Sequence, residues 1–168
     1  MRVAVAAIPD RGRHVGFDLA VPWAVEAART AVEAEPTTLQ GELVLRRDGS
    51  RVRVTGSTRA GCERPCERCG LAVALEVGGT IDLTYVPEAP GAEEPERELA
   101  SDELDVGWYR EGELDLSDIL SEAVALQLPT RLVCADVAVC DARTVEQINS
   151  RQAGMTGHPA FQVLRDLN

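Results

Sequence analysis

The sequence predicts an α+β fold: an antiparallel β-sheet covered by two helices, with a mobile acidic loop and an irregular C-terminal tail. Three observations predict it. Residues 21–35 and 115–127 carry apolar side chains at helical spacing. Residues 51–60 and 72–86 instead alternate between apolar and polar with a period of two. An Asp48-Gly49 dipeptide stands between two such segments, and Asp-Gly is a strong hairpin-turn signal.

Taken in order, the first helix spans Val21 to Glu35. Pro22 suits a first helical turn, Trp23, Ala27, Ala31 and Ala34 follow at helical spacing, and Pro36 ends the run. Leu39–Arg47 and Arg51–Ala60 form the hairpin. Its second strand places Arg51, Arg53 and Arg59 on one face and Val52 and Val54 on the other. A long strand follows over Ala72–Val86, with Val73, Leu75, Val77, Ile81, Leu83 and Tyr85 on one face and a bulge or bend at Gly78-Gly79. Residues 87–104 break the pattern. They hold three prolines and seven acidic residues against Arg97 alone, a composition that cannot bury enough apolar surface to order itself. Residues 105–110 supply one more strand. The second helix, Asp115–Gln127, sets Leu116, Ile119, Leu120, Ala123 and Val124 on one face, with Asp115 as its cap and Pro129 as its stop. From Arg143 the tail offers a short helix around 145–151 and an irregular remainder. The segments near 39–47, 51–61, 71–86 and 105–110 make the sheet of a single domain over 1–168, with its core in about 15–141.

With 168 residues the chain can bury a real core and needs no disulfide scaffold. Aromatic residues are only 4%, so that core must be built from Leu, Val, Ala and Ile. The net charge of −11 opposes broad, non-specific binding to a phosphate backbone and favours a basic partner. All 17 basic residues are arginine, which we read as coding bias in a GC-rich genome. The apolar run Val3–Ile8 is too short for a signal-peptide core, and no stretch approaches a membrane span. The expected location is therefore cytoplasmic, where cysteines act as thiols or metal ligands more often than as disulfides.

Cys66-Glu67-Arg68-Cys69-Gly70 is a C-x-x-C-G turn. Two thiolates three positions apart reach one ion from a tight loop, and the glycine lets the backbone turn its amides toward sulfur. Cys134 and Cys140 form a second, wider pair downstream. Four sulfurs from two segments suit tetrahedral zinc, the expected cofactor. Cys62 is left over as a substitute for one of the set. Two other readings compete with the metal site: reduced thiols packed as small apolar residues, and a thioredoxin-like redox pair. The redox pair lacks its βαβ setting.

Arg46, Arg47, Arg51, Arg53, Arg59, Arg64 and Arg68 fall in one segment against Asp48, Glu63 and Glu67. This is a local excess of positive charge in an acidic chain. It offers Arg46, Arg51, Arg53, Arg59 and Arg68 as a patch for RNA phosphate or an acidic partner. The opposing reading is a solvated sheet face whose charges pair with the acidic loop. His14 and His158 stand at no recognisable catalytic spacing. The sequence holds no phosphate loop, dinucleotide fingerprint or H-E-x-x-H, so no enzyme, catalytic residue or small-molecule substrate is expected.

The order of these features resembles the YceD-like family of bacteria and plastids. The resemblance covers roughly residues 15–168. It begins at Leu39-Gln40-Gly41 and the Asp-Gly hairpin, and runs through Val54-Thr55-Gly56 and the Cys66-x-x-Cys69 turn. It resumes at Gly112-Glu113-Leu114-Asp115-Leu116, then at the helix ending Leu126-Gln127-Leu128-Pro129. Cys134 and Cys140 follow, and then the closing segment His158-Pro159-Ala160-Phe161-Gln162-Val163-Leu164. Many relatives carry a fuller cysteine-rich segment where this chain has Cys134 to Cys140. The resemblance implies a non-enzymatic part in synthesis or processing of large-subunit ribosomal RNA, hence ribosome biogenesis. A ribosomal protein or pre-ribosomal RNA would be the partner, and Pro159, Phe161 and Leu164 join the candidate binding residues.

Overall fold

In the computed structural model, residues 1–88 and 106–154 are described. The chain forms two compact units. The larger takes Met1–Arg64 with Ala74–Thr130; the smaller takes Pro65–Val73 with the chain from Arg131 onward. Among the described residues the fold is α+β, with three α-helices and a five-stranded mixed sheet.

The larger unit opens with β1 (Arg2–Ala4), a 3-10 turn (Val5–Ala7) and β2 (Arg13–Asp18). Helix α1 spans Pro22–Val32 with proline in its first turn, as the sequence predicts. It stops at Val32, four positions before Pro36, because Glu33 turns left-handed at φ 53°. Strands β3 (Pro36–Asp48) and β4 (Arg51–Pro65) form the expected hairpin. Asp48 pairs with Arg51, so Gly49-Ser50 is the two-residue loop, with Gly49 at φ 59°. Strand β5 (Ala72–Pro87) runs through Gly78-Gly79 as one element, and β6 (Val106–Tyr109) follows. Strand β7 (Glu113–Asp115) pairs with β1 in a separate two-stranded sheet. Helix α2 (Leu116–Ala125) begins at Asp115, whose side chain accepts a hydrogen bond from the Ser117 amide at 2.9 Å.

The five-stranded sheet has the order β2-β3-β4-β5-β6. Its core is aliphatic, as the low aromatic content requires. Leu43, Leu45, Val52 and Val54 are fully buried, each contributing about 1.5–3 kcal/mol by leaving water. Ala24, Ala27, Ala28 and Ala31 make one buried stripe on α1, and such small side chains let it pack closely on α2. Leu116, Ile119, Leu120, Ala123 and Val124 are the buried face of α2.

Three expectations are corrected. The sheet is not wholly antiparallel, because β6 lies parallel to β5. A parallel neighbour requires a crossover of a dozen or more residues, and the chain between the two strands is long enough to supply one. The edge strand β2 and the β1–β7 pair were not expected. The short, polar β2 gives a weak signal and is fixed by pairing with β3 over Arg13–Asp18. Finally, the tail is helical much earlier than its composition suggests: α3 spans Val137–Gly154. Asp136 starts it, accepting the Val139 amide on Oδ1 at 3.0 Å and the Cys140 amide on its carbonyl at 3.1 Å. Of the acidic loop expected over 87–104, Pro87 instead ends β5 and Glu88 follows it; residues 89–104 and the tail beyond 154 lie outside the described residues.

Candidate metal centre

The smaller unit is organised around sulfur. After β4 ends at Pro65 the chain folds back sharply. The Cys66 amide donates to Leu71 O at 2.7 Å and the Gly70 amide to Cys66 O at 2.9 Å. Gly70 takes φ 71°, a left-handed conformation that glycine adopts without penalty. This tight turn aims two backbone amides at one sulfur: Arg68 N–H and Cys69 N–H point to Cys66 Sγ at 3.4 and 3.5 Å.

The second pair arrives from a different local structure. Cys134 lies in the approach to α3, and Cys140 is on its first turn. That turn closes the wide C-x5-C spacing. Cys69 Sγ lies 3.4 Å from Cys134 Sγ, and Cys66 Sγ lies 3.7 Å from Cys140 Sγ. All four sulfurs lie within 4.8 Å of one another. Tetrahedral zinc with zinc–sulfur bonds of about 2.3 Å sets its sulfurs about 3.8 Å apart, so the donor set fits an ion of that kind. The four side chains are buried, Cys134 being the most accessible at 9%. Val73 packs against them.

Electrostatics within the cluster are uneven. The Cys69 and Arg68 amides outweigh burial and lower the Cys66 thiol to about 6. Hydrogen bonding to Cys69, then burial, push Cys134 up to about 12. Burial, then hydrogen bonds with Cys69 and Cys66, raise Cys140. Four thiolates in one buried cluster repel one another, and a divalent cation offsets that repulsion.

Supporting contacts that the sequence reading did not anticipate hold the two halves together. Gln147 Nε2 donates to Cys69 O at 2.7 Å, Glu67 N–H donates to Leu132 O at 2.9 Å, and Arg68 forms an ion pair with Asp141. The one sequence signal available was Asp136, an ordinary helix-capping residue three positions before Val139. Cys62 belongs to β4 in the larger unit, opposite Pro36, and the four-sulfur set does not include it.

Cross-strand pairing places Arg46 opposite Arg53, Arg51 opposite Asp48 and Arg59 opposite Gln40, so the four arginines share a sheet face. Arg53 is tied to Asp82 by a bidentate contact at 2.8 and 2.6 Å. Arg46, Arg51 and Arg59 are exposed and make no ion pair among the described residues. Arg68 belongs to the smaller unit. Pro159, Phe161 and Leu164 lie outside the described residues.

Fold and site together define a small α+β protein with a four-cysteine centre able to hold a metal ion. Residues 54–168 match the family described as large ribosomal RNA subunit accumulation protein YceD. The chain belongs to the YceD family. No curated protein and no solved structure matches it. Among the described residues no helix is long and apolar enough to cross a membrane.

Proposed function

We propose that this protein is a non-enzymatic cytoplasmic factor that supports accumulation of large-subunit ribosomal RNA by binding a ribosomal protein or pre-ribosomal RNA. The family match over residues 54–168 carries this reading. The match includes residues of both compact units, so we read the chain as one domain of that family. Cys66, Cys69, Cys134 and Cys140 hold a structural zinc in this reading, supported by their convergence within one buried cluster. The test is depletion of the protein followed by profiling of ribosomal subunits. A fall in large-subunit RNA is expected; an unchanged RNA level and profile would reject the reading. Elemental mass spectrometry of the purified chain should find about one zinc, lost in Cys66→Ser.

A second reading has the exposed Arg46, Arg51 and Arg59 contact RNA directly. It demands salt-sensitive retardation of pre-ribosomal RNA, weakened by Arg51→Ala with Arg59→Ala. A redox role has less support, because Cys66 and Cys69 are buried with two further thiols and not exposed at a helix N-terminus.

A further inference from the structure

The larger unit contains a cavity of about 630 Å³ between β6, β7, α2 and the end of β5. Its charge is one-sided. Six carboxylates line it, those of Glu88, Glu111, Glu113, Asp115, Asp118 and Glu122; among the described residues the cations against them are the lining Arg2 and Arg110 and the Met1 amine, which lies 3.1 Å from Asp115. Both arginines are engaged: Arg110 holds Glu88 at 2.7 Å, and Arg2 reaches Asp115 at 3.5 Å and Glu113 at 3.9 Å. Glu111, Asp118 and Glu122 have no cationic partner among the described residues. Asp118 and Glu122 stand one helical turn apart on α2, where like charges repel.

Two aromatic side chains make this more than an acidic surface. Trp108 lines the cavity yet is 58% exposed, the largest apolar side chain that the described surface leaves in water. Tyr85 also lines it, is nine-tenths buried, and makes no side-chain hydrogen bond among the described residues. Its hydroxyl lies within the field of Glu122 and Asp118. Tryptophan and tyrosine faces attract guanidinium and ammonium groups, and carboxylates beside them complete the match. Phosphate would be repelled from the same walls.

We propose that this cavity binds a cationic peptide segment, placing an arginine or lysine side chain against Trp108 and among the carboxylates of Glu111, Asp118 and Glu122. The inference rests on the reading that the protein acts by binding a partner, and it assigns that partner's chemistry and its place on the fold.

The test uses the full chain and a short fluorescein-labelled arginine–glycine peptide, with fluorescence anisotropy at low ionic strength and at about 0.15 M salt. Asp118→Asn with Glu122→Gln is expected to weaken binding about tenfold, and Trp108→Leu severalfold. These side chains are exposed, so the variants keep their fold. Asp10→Asn with Glu63→Gln changes net charge equally at exposed positions outside the cavity, and should bind like the native chain. Equal weakening by both double variants would show general attraction to an acidic protein and overturn the proposal, as would native-like binding by the Asp118/Glu122 variant. Depletion and subunit profiling read the biological role separately. A site that fails here while depletion lowers large-subunit RNA refutes only the site.

Discussion

The two units reach order by different routes. The larger buries leucines, valines and alanines of its strands and helices, and its stability comes from many interchangeable apolar contacts. The smaller has few. Of its large apolar residues Leu71, Val133, Val137, Val139, Val145 and Ile148 are exposed, and its buried cluster is four cysteines with Val73 against them. An aliphatic core tolerates substitution gradually, whereas a cluster that depends on shared sulfur chemistry fails at a single residue.

The sharpest test of that contrast is Cys66→Ser or Cys134→Ser, or a chelator. Hydrogen exchange should show the protection of α3 amides lost while β3 and β4 amides stay protected. Simultaneous loss in both regions would mean that the units share one cooperative transition. Next in size, Leu43→Ala or Leu45→Ala should cost about 2–5 kcal/mol in denaturant unfolding of the larger unit while the protection of α3 amides stays unchanged. Asp115→Ala removes the α2 cap and should cost about 1 kcal/mol. Burial alone would raise the Asp115 carboxyl, but the Ser117 amide and the chain-terminal amine prevail and lower it. Its contribution is therefore present above the unfolded carboxylate value and lost as pH falls through the lower folded one, so the Ala variant should unfold with a flatter acid limb. Tyr85 acts at the other end of the scale. Burial, with Glu122 and Asp118 nearby, raises it to about 12. Its contribution is full below the unfolded tyrosine value and lost as pH rises toward 12, which Tyr85→Phe should abolish in alkaline melts. Smallest of all, Arg53→Ala breaks an exposed ion pair and should leave the thermal midpoint almost unmoved.

Legibility in the sequence follows the same division. The hairpin, α1, β5 and α2 announce themselves through periodicity and caps, because each buries one face within a single element. The direction of β6 is invisible to local pattern, since a short strand pairs either way and the choice lies in the length of chain before it. Strand β2 has too few apolar residues to signal and is set by its partner. In the four-cysteine cluster Cys66 and Cys69 are readable from their spacing alone. The spacing of Cys134 and Cys140 reads as too wide because it was measured along the chain, whereas Asp136 starts a helix that shortens it in space. The ties from Gln147 and Asp141 to the Cys66–Gly70 turn are tertiary and leave no local trace.

The span between the two cysteine pairs has a consequence for how the protein is made. Cys134 follows Cys69 by 65 positions, and the intervening chain includes β5, β6, β7 and α2. A growing polypeptide therefore presents half of the four-cysteine cluster and must extend through the rest of the sheet before the other half emerges. Joining the halves closes a long loop, and the entropy of that closure grows only slowly with length. A chain interrupted before Cys134 carries an open pair of thiols, so an incomplete product is chemically distinguishable from a finished one.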